Sequence, residues 1–325
     1  MQGKHGRGAD WGRDADSRRG KPVGISSHHT RNVTRGAVNA ARRGVRGMSS
    51  LGKRIFCIPD TQVRPGDPTD HMDWIGQAIR DYEPDVLIHL GDHYDMPSLS
   101  TWSGPGSLDR EGARYTADIE AGNAALLRLH DAMGGFKPKR KILLRGNHCH
   151  RITRAVAADP RLRGALSYDH FNDRELGWSP VDYNGSTPGI IDVEGVSFSH
   201  YFANPMTSKP IGGTAAYKLA AIGTPYVMGH VQGYDIGSKQ YATGRVIRGI
   251  VAGSCYLVDE EYRGSANTHF RGVVVLNEVK NGLFSEMPLT LTYLCQKYTG
   301  TTLARYMQRR YRNAKERFSV ARAAA

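Results

Sequence analysis

The sequence of 325 residues predicts an α/β fold built around a parallel sheet. Three observations carry that expectation. Short apolar runs recur, each bounded by turn residues, and these read as buried strands. Segments with apolar residues at helical spacing separate the first of them. The resulting order of strand, helix, strand, helix, strand is the βαβ pattern, which implies parallel strands joined by right-handed crossovers.

The elements follow in order. Ile55-Phe56-Cys57-Ile58 is the first strand. Met72, Ile75, Ala78 and Ile79 mark a helix from Thr69 to Tyr82, with Thr69 or Asp70 as cap and Pro84 as stop. Val86-Leu87-Ile88-His89-Leu90 is the second strand. Ile119, Leu126, Leu127 and Leu129 mark a helix over 113–133, ended by Gly134-Gly135. Lys141-Ile142-Leu143-Leu144 is the third strand, and a short helix over 150–158 leads into an irregular polar stretch to Tyr183. A hairpin turns at Glu194-Gly195, a helix is expected over 213–222, and Pro225-Tyr226-Val227-Met228 forms another strand. Residues 238–256 and 270–287 read as further strands, with a strong turn dipeptide at Asn281-Gly282. Leu303, Tyr306, Met307 and Tyr311 among many Arg fit a basic helix over about 302–324. There is no internal repeat.

Charge is unevenly spread. Residues 1–54 carry thirteen Lys/Arg against three Asp, and 297–325 carry eight Lys/Arg against Glu316 alone. With a total of +13, this leaves the intervening globule at about −4. Three regions are therefore expected: a disordered basic arm over 1–50, a globular domain over 51–296, and a basic, helical tail over 297–325. The arm permits three readings. It contacts nucleic acid, it is a solvated tail, or translation starts at Met48 just ahead of the first strand. Cys57, Cys149, Cys255 and Cys295 are dispersed with no C-x-x-C pair, which favours a reducing compartment. With no run of 18 apolar residues and no signal-like h-region, the expected location is the cytoplasm.

The apolar runs end in polar clusters: Asp60-Thr61-Gln62, Gly91-Asp92-His93-Tyr94-Asp95, Gly146-Asn147-His148, His200, and Gly229-His230-Val231-Gln232. In open α/β sheets ligands bind just beyond the carboxyl ends of strands. Five such ends carrying Asp, Asn, His and Gln could converge on a polyvalent cation.

In this order the clusters resemble the calcineurin-like metallophosphoesterase superfamily, whose pattern is D-x-H, G-D-x-x-D/N, G-N-H, an isolated His and G-H-x-H. The resemblance covers about residues 53–235 and neither basic end. It implies a four-layer αββα sandwich of two mixed sheets flanked by helices. It also implies two divalent cations bridged by Asp92, with Asp60, Gln62 and Gln232 on the first and Asn147, His200 and His230 on the second. A shared carboxylate offsets the repulsion of cations lying about 4 Å apart. A bridging hydroxide would attack phosphorus while His148, its tautomer fixed by Asp95, assists the leaving oxygen.

The departures are Gln62 and Gln232, both where the family has His. An amide oxygen is a harder ligand than imidazole, so the first position should prefer Mn²⁺ or Mg²⁺ over Zn²⁺. Mn²⁺ is the expected metal, with Mg²⁺, Fe²⁺ or Zn²⁺ as alternatives. His200 has no signature of its own, and His170 is the reserve for its role. Arg145, Arg151 and Arg154 flank the Asn-His turn and could hold substrate phosphate. Asn204 and Lys209 are further candidates for the cleft, while His89, His93, His150 and Cys149 carry no assigned role.

Taken singly, an Asp after a strand caps the next helix more often than it binds metal. The ordered set is what points to a phosphoesterase. A phosphodiester in nucleic acid or a nucleotide is the first choice of substrate, because basic ends neutralise backbone phosphates. A phosphomonoesterase acting on protein or nucleotide is the alternative enzyme. A non-catalytic scaffold of the same fold would be expected to lack ligands. No membrane partner is expected.

Overall fold

A computed structural model describes residues 52–101, 111–259 and 269–311. The arm over 1–50 and the end of the predicted basic helix lie outside these residues.

In the first sheet β1 (Lys53–Ile58), β2 (Val86–His89), β3 (Arg140–Leu144) and β4 (Ser179–Val181) run parallel. The order β11-β10-β1-β2-β3-β4 is completed by two antiparallel strands, β10 (Gly272–Lys280) beside β1 and β11 (Leu283–Thr290) at the edge. The second sheet has the order β5-β6-β7-β9-β8. Its strands are β5 (Ile190–Val193), β6 (Val196–Ser199), β7 (Tyr226–Met228), β8 (Tyr234–Gln240) and β9 (Val246–Ala252). There β6, β7 and β9 are parallel, while β5 and β8 are antiparallel edges.

Alternation along the strands builds the layers, because successive side chains leave opposite faces of a sheet. Phe56, Ile58, Leu87, Leu143, Val273 and Val275 pack against Met72, Ile75 and Ile79 of α1 (His71–Tyr82) and Leu126 and Leu129 of α2 (Tyr115–Ala132). The alternate residues Ile55, Cys57, Ile88, Ile142, Leu144 and Val274 meet Val196, Phe198, Val227, Ile250 and Ala252 across the gap between sheets. Leu219 of α4 (Ala215–Ile222) covers Tyr226, Met228 and Val251 on the far side. The result is the αββα sandwich, with α3 (Arg151–Ala158) following β3. Each of these aliphatic or aromatic side chains contributes about 2 kcal/mol on burial.

Both foreseen hairpins form. Glu194-Gly195 and Asn281-Gly282 have φ of 55° and 80°, and 52° and 79°, the paired left-handed values of a type I′ turn.

Two features differ from expectation. Asp70 makes no side-chain cap to α1. Its carboxylate accepts instead from Arg128 Nη2 at 3.0 Å, Tyr306 Oη at 3.0 Å and the Tyr311 hydroxyl. A charged acceptor gains more from a guanidinium and two phenols than from one backbone N–H. The second is α5 (Leu291–Thr299), which follows β11 directly, is capped by Thr290 and runs through position 297, where the charge shift begins. The helix over 303–311 then packs back, Tyr306 meeting Trp74 edge-on at 5.1 Å. No helix among the described residues is long and apolar enough to cross a membrane.

Candidate metal centre

Five strands, three parallel in the first sheet and two parallel in the second, deliver the polar residues from their carboxyl ends: β1 leads to Asp60, β2 to Asp92, β3 to Asn147, β6 to His200 and β7 to His230. Gln62, Asp92 and His230 all adopt left-handed backbone, with φ of 41°, 47° and 66°. Each such residue costs about 1 kcal/mol, strain that persists where surrounding bonds over-determine the turn. Those bonds are present. The Gln62 N–H donates to the Asp92 carbonyl at 2.8 Å, and the Val63 N–H to that of His93 at 2.8 Å. Gly146 and Gly229 let the turns close, since a Cβ on the first would fall on the Asp92 carboxylate and on the second upon that of Asp60.

Asp92 is the hub. Its Oδ1 accepts from the His148 N–H at 2.9 Å, and its Oδ2 lies 3.1 Å from His200 Nε2. His200 Nε2 is also 2.9 Å from Asn147 Oδ1. Ligand atoms of Asp92, His200 and His230 all lie within 4.8 Å of one another. Asp60 is fully buried, and its two oxygens accept from the His230 N–H at 3.0 and 3.1 Å. The remaining pair, Gln62 and Gln232, is buried beside them, Gln232 Nε2 donating to Gln62 Oε1 at 3.2 Å.

The donor chemistry fits a divalent cation. His200 Nδ1 donates to the Leu90 carbonyl at 2.9 Å, so in the neutral ring Nε2 presents a lone pair to two oxygen acceptors. Three electron-pair donors facing one another need a proton or a cation between them. Burial alone would lower His200, but Asp92 and Asp60 raise it to about 9. Burial pushes Asp60 up to about 7, opposed by the His200 charge. Burial would also raise Asp92, yet the charges of His148 and His200 and their hydrogen bonds hold it well below the usual carboxylate range. Burial and the His200 charge take His230 down to about 4, which leaves it neutral and able to ligate.

His148 sits at the edge of this cluster with its side chain 17% exposed, Nδ1 bonded to Asp95 Oδ1 and Nε2 3.8 Å from Asp92 Oδ2. Asp95 Oδ2 accepts from Arg64 Nε at 2.6 Å, and its backbone carbonyl accepts from Arg151 Nη1 at 2.7 Å. Sequence reasoning missed Arg64. A cation four residues beyond Asp60 was the available signal.

It also missed what lies behind the turns. The Gly91 N–H donates to His89 Nδ1 at 3.3 Å, and His89 Nε2, Thr61 Oγ1 and His93 Nδ1 follow at 3.1 and 2.9 Å. His93 Nε2 ends the chain on the Gly122 carbonyl at 2.9 Å. The ends fix every donor: His89 gives its Nε2–H to Thr61, whose hydroxyl gives its own proton to His93. Burial holds both rings neutral, His93 at about 4 and His89 well below the ordinary value. No local pattern marks Thr61 for this role.

The other residues singled out in the sequence lie as follows. Arg145 is not available to substrate. It is 1% exposed, pairs with the equally buried Asp173 at 2.6 Å, and lies over the rings of Tyr168 and Phe171. His170 bonds the Tyr115 hydroxyl at 2.7 Å, outside the cluster, so the reserve for His200 falls away. Arg154 reaches Thr101 at the exposed surface. Asn204 and Lys209 bond each other through the backbone of their loop. His150 stacks on Tyr183 with ring centroids 4.0 Å apart, and Cys149 is fully buried, its thiol pushed by burial up to about 11.

A sandwich that brings carboxylates, a carboxamide and imidazoles to one edge defines a class of metal-binding hydrolases. The family model described as calcineurin-like phosphoesterase matches residues 53–241, more than half of the chain, and the chain belongs to that family. Its general chemistry is metal-dependent hydrolysis of phosphoesters, and the family binds two divalent metals. Among relatives, the Gene 54 protein of Mycobacterium phage D29 is 26% identical over 201 residues, 60% of this chain and 74% of its own. The Gene 54 protein of Mycobacterium phage L5 is 25% identical over the same shares. A solved structure from Streptococcus pneumoniae TIGR4, titled a conserved uncharacterized protein and predicted phosphoesterase, is 12% identical. It covers 73% of this chain and 98% of its own, with a TM-score of 0.25.

Proposed function

We propose that this chain hydrolyses a phosphodiester of nucleic acid or a nucleotide. Two divalent cations, Mn²⁺ first, would be held by Asp60, Gln62, Asp92, Asn147, His200, His230 and Gln232. One observation carries the catalytic reading: His148 is bound to Asp95 through Nδ1 and turns Nε2 toward Asp92. When bound, the cations polarise the phosphate and lower the pKa of a water molecule.

The chain's own residues do the rest. Burial would lower His148, but the Asp92 charge and the bond and charge of Asp95 outweigh it and raise the ring. The protonated ring donates from Nε2 to the departing alkoxide, with its Nδ1–H committed to Asp95. Arg64 holds the other oxygen of Asp95, so the carboxylate keeps its orientation as the ring changes charge. Arg151 braces the same turn.

Two features support the diester. The basic ends flank a catalytic domain over 51–296, and Arg305 and Arg309 are exposed on the last described helix. Such charges concentrate a polyphosphate chain by counterion release. The test compares bis(p-nitrophenyl) phosphate with p-nitrophenyl phosphate in Mn²⁺, Mg²⁺ and Zn²⁺, for the wild type, Asp92→Ala and His148→Ala. Diester turnover in Mn²⁺, lost in both variants, is the expected result. Turnover of the monoester alone overturns the diester, and no turnover of either ester overturns the enzyme.

A further inference from the structure

Gln62 and Gln232 occupy the two positions where the family pattern carries imidazoles, and they are bonded to each other. Gln232 Nε2 donates to Gln62 Oε1 at 3.2 Å, with the residues 6% and 5% exposed. An amide N–H₂ cannot ligate a cation, so in this rotamer Gln232 offers the site a donor group where the family offers a lone pair. The oxygen of Gln62 already accepts that proton. Asp60, the third member of this side, accepts the His230 N–H on both oxygens and keeps further lone pairs for a cation.

The opposite side is built differently. Asp92, Asn147, His200 and His230 bring a carboxylate, a carboxamide oxygen and two imidazoles together, three of them within 4.8 Å. Here the atoms in contact, His200 Nε2, Asp92 Oδ2 and Asn147 Oδ1, can all present lone pairs, so a cation takes the place of a proton among them. The backbone of Gln62 is pinned at φ 41° by its N–H bond to the Asp92 carbonyl. The adjustable part is therefore the Gln232 amide.

We infer that the two cation positions fill in sequence, the histidine-lined one first. The glutamine-lined one fills only when a second cation turns the Gln232 amide away from Gln62. This rests on the reading of these residues as cation ligands and adds an order and a closed state to it. Hydrolysis then continues to rise with Mn²⁺ beyond the concentration that saturates the first position, so the metal supply sets the activity.

The experiment is a Mn²⁺ titration of the full chain, followed by calorimetry and by electron paramagnetic resonance. The wild type should show two steps separated by at least about ten-fold in affinity, with the spectrum of a coupled pair appearing only in the second. Gln62→Leu and Gln232→Leu should each remove the weak step and keep the tight one. Gln62→His combined with Gln232→His should bring the steps together. Two equal steps in the wild type, or a Leu variant that loses the tight step, overturn the inference while leaving the cation reading intact. A wild type that binds no Mn²⁺ overturns that reading, and the inference with it.

Discussion

Arg64 donates from Nε to Asp95 Oδ2 at 2.6 Å, on a carboxylate whose other oxygen meets His148 Nδ1. One carboxylate is thus clamped between a permanent cation and a titrating ring. Asp95→Asn should lower kcat by about 100-fold, the usual scale of general acid catalysis. The basic limb of the rate profile should also move to lower pH. Its sign follows from the charge: the Asp95 carboxylate helps to raise His148, so its removal lets the protonated ring deprotonate earlier. Arg64→Ala should cost about ten-fold in kcat/KM. Steady-state profiles from pH 5 to 10 check all three, and an unmoved basic limb in Asp95→Asn would contradict the pairing.

The Thr61 hydroxyl joins His89 to His93 and thereby ties the Asp60–Gln62 turn to the Gly91–Asp92 turn. Thr61→Val keeps the shape and removes both bonds, and it should weaken Mn²⁺ binding by about ten-fold. Thr61→Ser should restore it. Calorimetry measures the affinity, and Leu129→Ala, a core change on α2, provides the comparison. It lowers Tm without changing the affinity.

Arg145 pairs with Asp173 under two aromatic rings, so it belongs to stability. Arg145→Met should lower unfolding free energy by about 3 kcal/mol, because Asp173 is left buried without its partner. KM for the diester should stay unchanged in the folded fraction. A large rise in KM without a fall in Tm would return Arg145 to the substrate.

Asp70 anchors the helix over 303–311 through Tyr306 and Tyr311. Burial would raise this carboxyl, but the bonds from Tyr311, Tyr306 and Arg128 and the Arg128 charge hold it below the usual range. A depressed carboxyl adds stability above its unfolded pKa of about 4, and that stability is lost as pH falls through the folded value. Asp70→Asn should therefore cost about 2 kcal/mol at pH 7. The gap in Tm from the wild type should narrow on acidification and close below the folded pKa. A gap independent of pH would contradict the anchor.

Much of this molecule was legible because its central strands are buried on both faces and so read as uninterrupted apolar runs. Val86–Leu90, for example, needs no partner to be recognised. The strand-end clusters were legible for the same reason: each polar residue follows a run that ends abruptly. Long-range pairing was not. Nothing beside Asp70 announces that its carboxylate serves Tyr306 and Tyr311 instead of the N-terminus of α1. The same holds for Arg145, whose position next to Asn147 suggests substrate, while its charge is spent on Asp173 from a later loop. The alternation of side chains between sheet faces is a local signal, whereas an ion pair is a property of the finished fold.

The central claim is that donors from five strand ends share cations around Asp92. Anomalous diffraction from crystals of the Mn²⁺-loaded protein tests it most directly. The strongest peak should lie among Asp92, Asn147, His200 and His230, with a weaker one beside Asp60 and Gln62 at high Mn²⁺. Manganese bound elsewhere, with these side chains in mutual contact and no peak between them, would contradict it.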